Sequence, residues 1–237
     1  MITDRPTLVL LPGWGVDVAC WQSVQAALQA DFDVLPLALP ELPSLSTGDT
    51  ECLLDAWLQD LLARVPRRAY WLGWSLGGML VMALSRRYPD RLLGAAVVAA
   101  APRFVEDEGW PGVPRSVVEG FERQLCEAPE QLRRQFLALV AHGDRAARRA
   151  LKPAVDGEVS LRQGLHLLKS MDLRGAWNSP LLSGVLLSEV DGVLPPTLIA
   201  PMMSECGEKI RLTAACHAPM VSAPEIVAEF VRDCFCR

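Results

Sequence analysis

Ser75 stands between two glycines in Gly73-Trp74-Ser75-Leu76-Gly77, after the aromatic and apolar Ala69-Tyr70-Trp71-Leu72 and before the Ala/Leu/Met-rich stretch opening at Gly78-Met79-Leu80. A serine hydroxyl is a poor nucleophile until a base takes its proton. Gly-x-Ser-x-Gly between a strand and a helix forms a strained turn that lifts such a hydroxyl to the carboxyl end of the strand. Glycine is needed on either side because neighbouring backbone crowds those positions. The turn also aims the Leu76 N–H, at a helix start, toward any anion forming beside Ser75. The chemistry served is acyl transfer through a serine ester. Without its flanks the pattern is weak, since Gly and Ser also punctuate ordinary turns.

The base must come from three histidines. His142 and His166 fall within a helical stretch. His217, in Ala215-Cys216-His217-Ala218-Pro219, follows the last strand-like segment, at the end of a parallel sheet where sites gather. Position and elimination favour His217. An imidazole base needs a carboxylate to fix its tautomer and stabilise its charged form. Asp191, in Ser188-Glu189-Val190-Asp191-Gly192, follows the preceding strand-like segment. Asp191-Gly192 also reads as an ordinary turn, and Glu189 remains the alternative acid. Ser75, Asp191 and His217 run in the order nucleophile, acid, base. A second oxyanion donor is expected from the loop after the first strand, where the backbone N–H of Trp14 would join that of Leu76. Gly13 and Gly15 could equally be turn residues and Trp14 core.

These loops need elements to hold them. Thr7–Leu11 reads as a buried strand, Val18–Gln29 as a helix, Asp33–Leu39 as a second strand and Asp49–Ala63 as a helix. The serine strand and its helix follow, and Tyr88-Pro89-Asp90 ends that helix. Leu93–Ala100 is a continuous apolar run, as in a strand covered on both faces. The alternation predicts an α/β sheet. It stops between Arg103 and Arg174, where four helical patches appear, Ser116–Glu127, Pro129–Ala141, Asp144–Val155 and Ser160–Ser170. It resumes with strand-like Leu181–Ser188, helical Pro196–Cys206, strand-like Ile210–Ala215 and helical Pro224–Cys234. The expected organisation is a core over residues 1–102 and 175–237, with residues 103–174 inserted as a helical cap over the strand ends.

Composition narrows the class further. The chain has 237 residues, 51% hydrophobic and 22% charged, enough for a sizeable core. Leu92–Ala101 is too short to cross a membrane, and Met1–Arg5 leads straight into the first strand without a signal segment. Seven cysteines form no disulfide framework and no zinc spacing. Reduced thiols in a cytoplasmic protein, without a metal or cofactor, are expected. A net charge of −5 argues against nucleic-acid binding. Against that average, Arg145, Arg148, Arg149 and Lys152 recur at i, i+3, i+4 and i+7, which on a helix makes one basic stripe. An acidic partner would suit it; a solvated helix face is the plainer alternative.

A closer likeness is carried by Leu11-Pro12-Gly13-Trp14-Gly15, Trp71-Leu72-Gly73-Trp74-Ser75-Leu76-Gly77-Gly78 and Trp110-Pro111-Gly112. Arg134–Leu139, Leu167–Arg174, Asp191-Gly192-Val193-Leu194-Pro195 and His217-Ala218-Pro219 extend it. On these residues the chain resembles the α/β-hydrolase superfamily over its whole length, and looks most like the pimeloyl-acyl carrier protein methyl ester esterases of biotin synthesis (the BioH family). The resemblance implies a serine carboxylesterase that hydrolyses that methyl ester to the acid and methanol, on an α/β-hydrolase fold. It implies a monomer acting on an acyl carrier protein docked at cap arginines, and places Trp14, Trp74 and Phe136 on the acyl pocket. Four departures stand out. Pro12 replaces the histidine common before the oxyanion glycine, and Leu39–Ser44 lacks glycines often found there. The chain also starts at the first parallel strand, so about six strands are expected, mostly parallel. The family's cap arginines have no one-for-one counterpart around Gln131 and Gln135. The alternatives are a general short-chain carboxylesterase or thioesterase, with the same triad, and a non-catalytic ligand receptor, which would not need all three residues.

Overall fold

The computed structural model describes residues 5–154 and 157–236. Met1–Asp4, on which the expected absence of a signal segment rests, and Val155, the end of the third expected cap helix, lie outside the described residues.

Six strands form one sheet: β1 (Thr7–Leu11), β2 (Asp33–Pro36), β3 (Ala69–Trp74), β4 (Leu92–Val98), β5 (Leu182–Ser188) and β6 (Ile210–Thr213). Their spatial order is β2-β1-β3-β4-β5-β6 and every pair is parallel. The β1, β3 and β4 sequences are nearly uninterrupted apolar runs because helices cover both faces, leaving no solvent side for polar residues. Helix α1 (Gln22–Leu28) pairs with the C-terminal helix, while α2 (Thr50–Ala63) packs on α3 (Leu76–Arg87). The chain runs from β1 outward to β2, then returns past β1 to β3. The direction of winding therefore reverses between β1 and β3, and a crevice opens at their carboxyl ends.

Between β4 and β5 the inserted residues form α4 (Arg115–Glu127), α5 (Pro129–Val140), α6 (Arg145–Ala150) and α7 (Glu158–Ser170). No described residue there joins the sheet; its extended pairings are isolated bridges. The insertion is tied at its base, where Arg103 and Asp172 bridge antiparallel and the Leu173 N–H donates to the Pro102 carbonyl at 2.8 Å. Asp172 also takes Arg103 at 3.0 Å and Arg174 at 2.6 Å, and Arg174 reaches Asp107 at 3.0 Å. The Arg174 guanidinium, ahead of the opposing effect of burial, holds the Asp172 carboxyl below its ordinary value. Helix α7 is fastened to the core by buried polar groups. The Ser160 hydroxyl donates to the Pro40 carbonyl (2.9 Å), and the Gln163 amide donates to the carbonyls of Leu42 (2.8 Å) and Leu45 (2.9 Å). Gln163 Oε1 in turn accepts from the Trp57 indole at 3.1 Å.

The expected elements appear with shifted ends. The first helix opens as a 3-10 turn over Val18–Trp21, capped by Asp17, and β2 stops at Pro36, short of Leu39. The largest change is α6. It ends at Ala150 because Leu151 is already extended (φ −67°, ψ 132°) and Lys152 precedes Pro153, a position that disfavours helix. The Lys152 carbonyl accepts instead from the Asp17 N–H at 3.1 Å. The basic stripe thus loses Lys152 from the helix and keeps Arg145, Arg148 and Arg149. Beyond β5, α8 (Ile199–Cys206) follows a 3-10 turn, and after β6 come a four-residue α9 (Pro219–Ser222) and α10 (Pro224–Phe235). Among the described residues no helix is long and apolar enough to cross a membrane.

Candidate active site

Ser75 links β3 to α3 with φ 54° and ψ −118°, a conformation that L side chains rarely adopt. Its neighbours explain the glycines. A Cβ at Gly73 would lie 2.2 Å from the Gly77 carbonyl oxygen, and one at Gly77 would lie 2.5 Å from the Pro12 carbonyl oxygen. The turn is fixed at both ends, as the Ser75 N–H donates to Val98 and its carbonyl accepts from Met79, each at 3.0 Å.

His217 follows β6 and Asp191 follows β5. His217 Nδ1 lies 2.6 Å from Asp191 Oδ2, with the two side chains 0% and 2% exposed. Asp191 Oδ1 accepts the N–H groups of Val193 (2.7 Å) and Leu194 (2.8 Å), so both carboxylate oxygens are engaged and its plane is set by its own loop. A carboxylate accepts, so Nδ1 carries a proton, and in the neutral imidazole Nε2 is the nitrogen with the lone pair. That Nε2 is buried without a hydrogen-bond partner among the described residues. The ring is steadied by Trp74, whose indole donates to the His217 carbonyl at 2.8 Å and lies 5.6 Å from the imidazole. Glu189 is exposed, with its N–H given to the Thr213 carbonyl. His142 is exposed and His166 is bonded to Thr50, so neither is seated with a buried carboxylate as His217 is. Cys216, next to His217, is also buried, and burial pushes its thiol above the usual range, which makes it a poor competing nucleophile.

Trp14 lies in the loop after β1, and Leu76 begins α3 after β3; these strands are neighbours, with Leu11 in register with Gly73. The two residues expected to supply the oxyanion donors thus follow adjacent strands, and Leu76 directly follows Ser75. The Trp14 indole donates to the Leu161 carbonyl of α7 at 2.8 Å. Its ring meets Phe136 edge-on at 4.9 Å and stacks on Phe121 at 6.5 Å.

A cavity of about 280 Å³ opens between the insertion and the Asp191 loop, walled by Phe104, Val113, Phe121, Phe136, Leu139 and Val193. Of the three residues expected on the acyl pocket, Phe136 lines this cavity. Trp14 lies one layer behind it, against Phe121 and Phe136, while Trp74 packs against His217; neither lines the cavity, and they are 2% and 1% exposed. Leu139 and Val193 fall in segments that carry the family likeness but receive no pocket role from it, and Phe104, Val113 and Phe121 are not singled out by the sequence, because the lining converges from separate loops and helices. Arg145, Arg148, Arg149 and Lys152 are all exposed, and none pairs with a carboxylate among the described residues. Arg145 borders a wider groove of about 950 Å³ that runs past Val190 to Cys216 and Ile226. Among the described residues no three His, Cys, Asp or Glu side chains gather as metal ligands do.

Residues 8–230 match the model of the alpha/beta hydrolase family. The chain is 37% identical over 237 residues to the pimeloyl-[acyl-carrier protein] methyl ester esterase of Edwardsiella ictaluri, covering 92% of this chain and 88% of that one. It is 35% identical over 236 residues to the enzyme of the same name from Klebsiella pneumoniae, covering 94% and 90%. Among solved structures, a hydrolase from Pseudomonas aeruginosa superposes with a TM-score of 0.75 at 20% identity, over 97% of this chain and 89% of that one. A thermophilic esterase from Thermogutta terrifontis gives 0.72 at 18%, over 96% and 88%. These two likenesses concern the fold.

Proposed function

The chain belongs to the alpha/beta hydrolase family and, within it, to the pimeloyl-[acyl-carrier protein] methyl ester esterases, and from that premise we propose that it hydrolyses the methyl ester of pimeloyl-acyl carrier protein, releasing methanol and the free acid for biotin synthesis. The observation that carries the chemistry is the buried His217–Asp191 contact of 2.6 Å, with His217 Nε2 unpartnered among the described residues, on the same carboxyl edge of the sheet as Ser75. Ser75 attacks the ester carbonyl as His217 Nε2 takes its proton. The Trp14 and Leu76 N–H groups hold the oxyanion, and Asp191 stabilises the imidazolium without itself becoming protonated. The imidazolium then protonates the departing methoxide. Water activated by the same nitrogen attacks the acyl-enzyme, and Ser75 leaves with the proton.

The apolar cavity at the Asp191 loop suits a methylene chain, and residues 103–174 serve as the cap that forms its outer wall. The carrier protein, acidic by its chemistry, docks on Arg145, Arg148 and Arg149, which pair with no carboxylate among the described residues, with Lys152 beside them on the following extended segment. The enzyme works in this account as a cytoplasmic monomer without a cofactor. Mass spectrometry of methyl-pimeloyl carrier protein incubated with the enzyme tests the substrate directly. The expected result is loss of the methyl mass with the acyl chain still on the carrier. Release of the whole acyl group would make it a thioesterase, and no change beside turnover of p-nitrophenyl acetate would make it a general carboxylesterase.

A further inference from the structure

Helix α7 is anchored to the core through Ser160 and Gln163, yet the same helix touches both residues proposed to supply the oxyanion donors. Its Leu161 carbonyl accepts the Trp14 indole N–H at 2.8 Å, with both groups buried. One turn on, Gly164 leaves room for the same ring. A Cβ there would lie 2.7 Å from Trp14 Cδ1, 3.3 Å from Trp14 Nε1 and 3.1 Å from Leu76 Cδ2. Trp14 cannot swing aside, because Phe121 of α4 and Phe136 of α5 hold its other surfaces. Glycine is a poor helix former, so its presence within the thirteen residues of α7 goes against the helix's own preference. The space it leaves is the compensation, and that space lies against the oxyanion residues.

We propose that α7, through Gly164 and the Leu161 carbonyl, positions the Trp14 and Leu76 backbone donors, which makes the insertion part of the rate-determining apparatus as well as the wall of the substrate cavity. The inference rests on the serine-esterase reading given above. Gly164 is a positioning residue in this scheme, since it acts through Trp14 and Leu76. A donor moved off the developing oxyanion weakens binding of the transition state more than that of the substrate.

The test is Gly164→Ala assayed with p-nitrophenyl acetate, a substrate too small to need the acyl cavity or a carrier. The expected result is a fall in kcat of at least about tenfold with KM changed less than about twofold. A boronic acid that forms a tetrahedral adduct on Ser75 should lose affinity by the same factor as kcat/KM. Trp14→Phe opens space beside position 164, so the double variant should lose less than the product of the two single losses. Wild-type kcat in a folded Gly164→Ala, or a rise in KM alone, overturns the proposal. Should Gly164→Ala not fold, Trp14→Phe decides: reduced kcat at constant KM supports it, and wild-type kcat overturns it. Ser75→Ala separates the two levels. If that variant still turns over substrate, the esterase reading fails; if it is dead while Gly164→Ala is unimpaired, only the role of α7 fails.

Discussion

Ser75 is a costly residue to keep. Its backbone sits at φ 54° and ψ −118° and its side chain is 7% exposed, and a non-glycine residue in such a region costs on the order of 1–3 kcal/mol. Ser75→Gly should therefore abolish hydrolysis while raising Tm by about 2–4 °C, the shift that about 1 kcal/mol produces in a chain of this size. A thermal melt beside a p-nitrophenyl ester assay checks both halves, and a lower Tm would mean that the hydroxyl stabilises the turn. Asp191→Asn addresses the other end of the site. Asn can receive Val193 and Leu194 through its oxygen as Asp191 does, so the fold should hold. The amide would favour the wrong tautomer of His217, and kcat should fall at least about a hundredfold. A full kcat in that variant would return the acid role to Glu189, although that residue is exposed. The three triad candidates were legible because few side chains could fill each role and each followed a strand. Gly164 was not read, although a glycine inside Ser160–Ser170 was a visible anomaly, because nothing local says that an indole from residue 14 occupies the gap.

Element by element, the strands and helices of the core announced themselves through apolar runs and alternation, and the differences lie at their ends, as where β4 stops at Val98 and β6 at Thr213. Pro36 closes β2 and Pro153 shortens α6. Periodicity alone could not see the second effect, since Arg145, Arg148, Arg149 and Lys152 keep helical spacing regardless of where the helix stops. What remains is an exposed helix of six residues with three arginines lacking carboxylate partners among the described residues. Exposed charge of this kind acts mainly on association and weakens with salt. Arg145→Glu, Arg148→Glu and Arg149→Glu combined should leave hydrolysis of a small p-nitrophenyl ester near wild type. The carrier-bound methyl ester should lose at least about tenfold in kcat/KM, or about 1.4 kcal/mol. Raising the salt should narrow the difference. Equal loss on both substrates would point to a damaged cap, and no loss on either to an ordinary solvated face.

At the scale of the whole molecule, the insertion and core meet at the Arg103–Asp172–Arg174 cluster. Asp172 is held below its ordinary carboxyl value, chiefly by the hydrogen bond from Arg174. A group depressed in the folded state contributes stability above its unfolded value of about 4, and that contribution is lost as pH falls through the folded value. Wild type should thus melt higher than Asp172→Asn at pH 7, with the gap closing below about pH 4; a gap independent of pH would assign the effect to packing. A different consequence follows from the sheet order. Trp14 and Leu76 follow strands that are direct neighbours, paired at Leu11 and Gly73, and neighbouring strands lie about 4.8 Å apart. The coarse separation of the two proposed donors is thus set by the pitch of backbone hydrogen bonding, and the contact of α7 with Trp14 and Leu76 is left to set their final aim. Divergence among descendants of such a fold has little freedom at the reacting carbonyl and on the α7 face that meets Trp14 and Leu76, and much in the rest of the insertion, so new substrates can be acquired by rewriting those other helices while the chemistry is inherited unchanged.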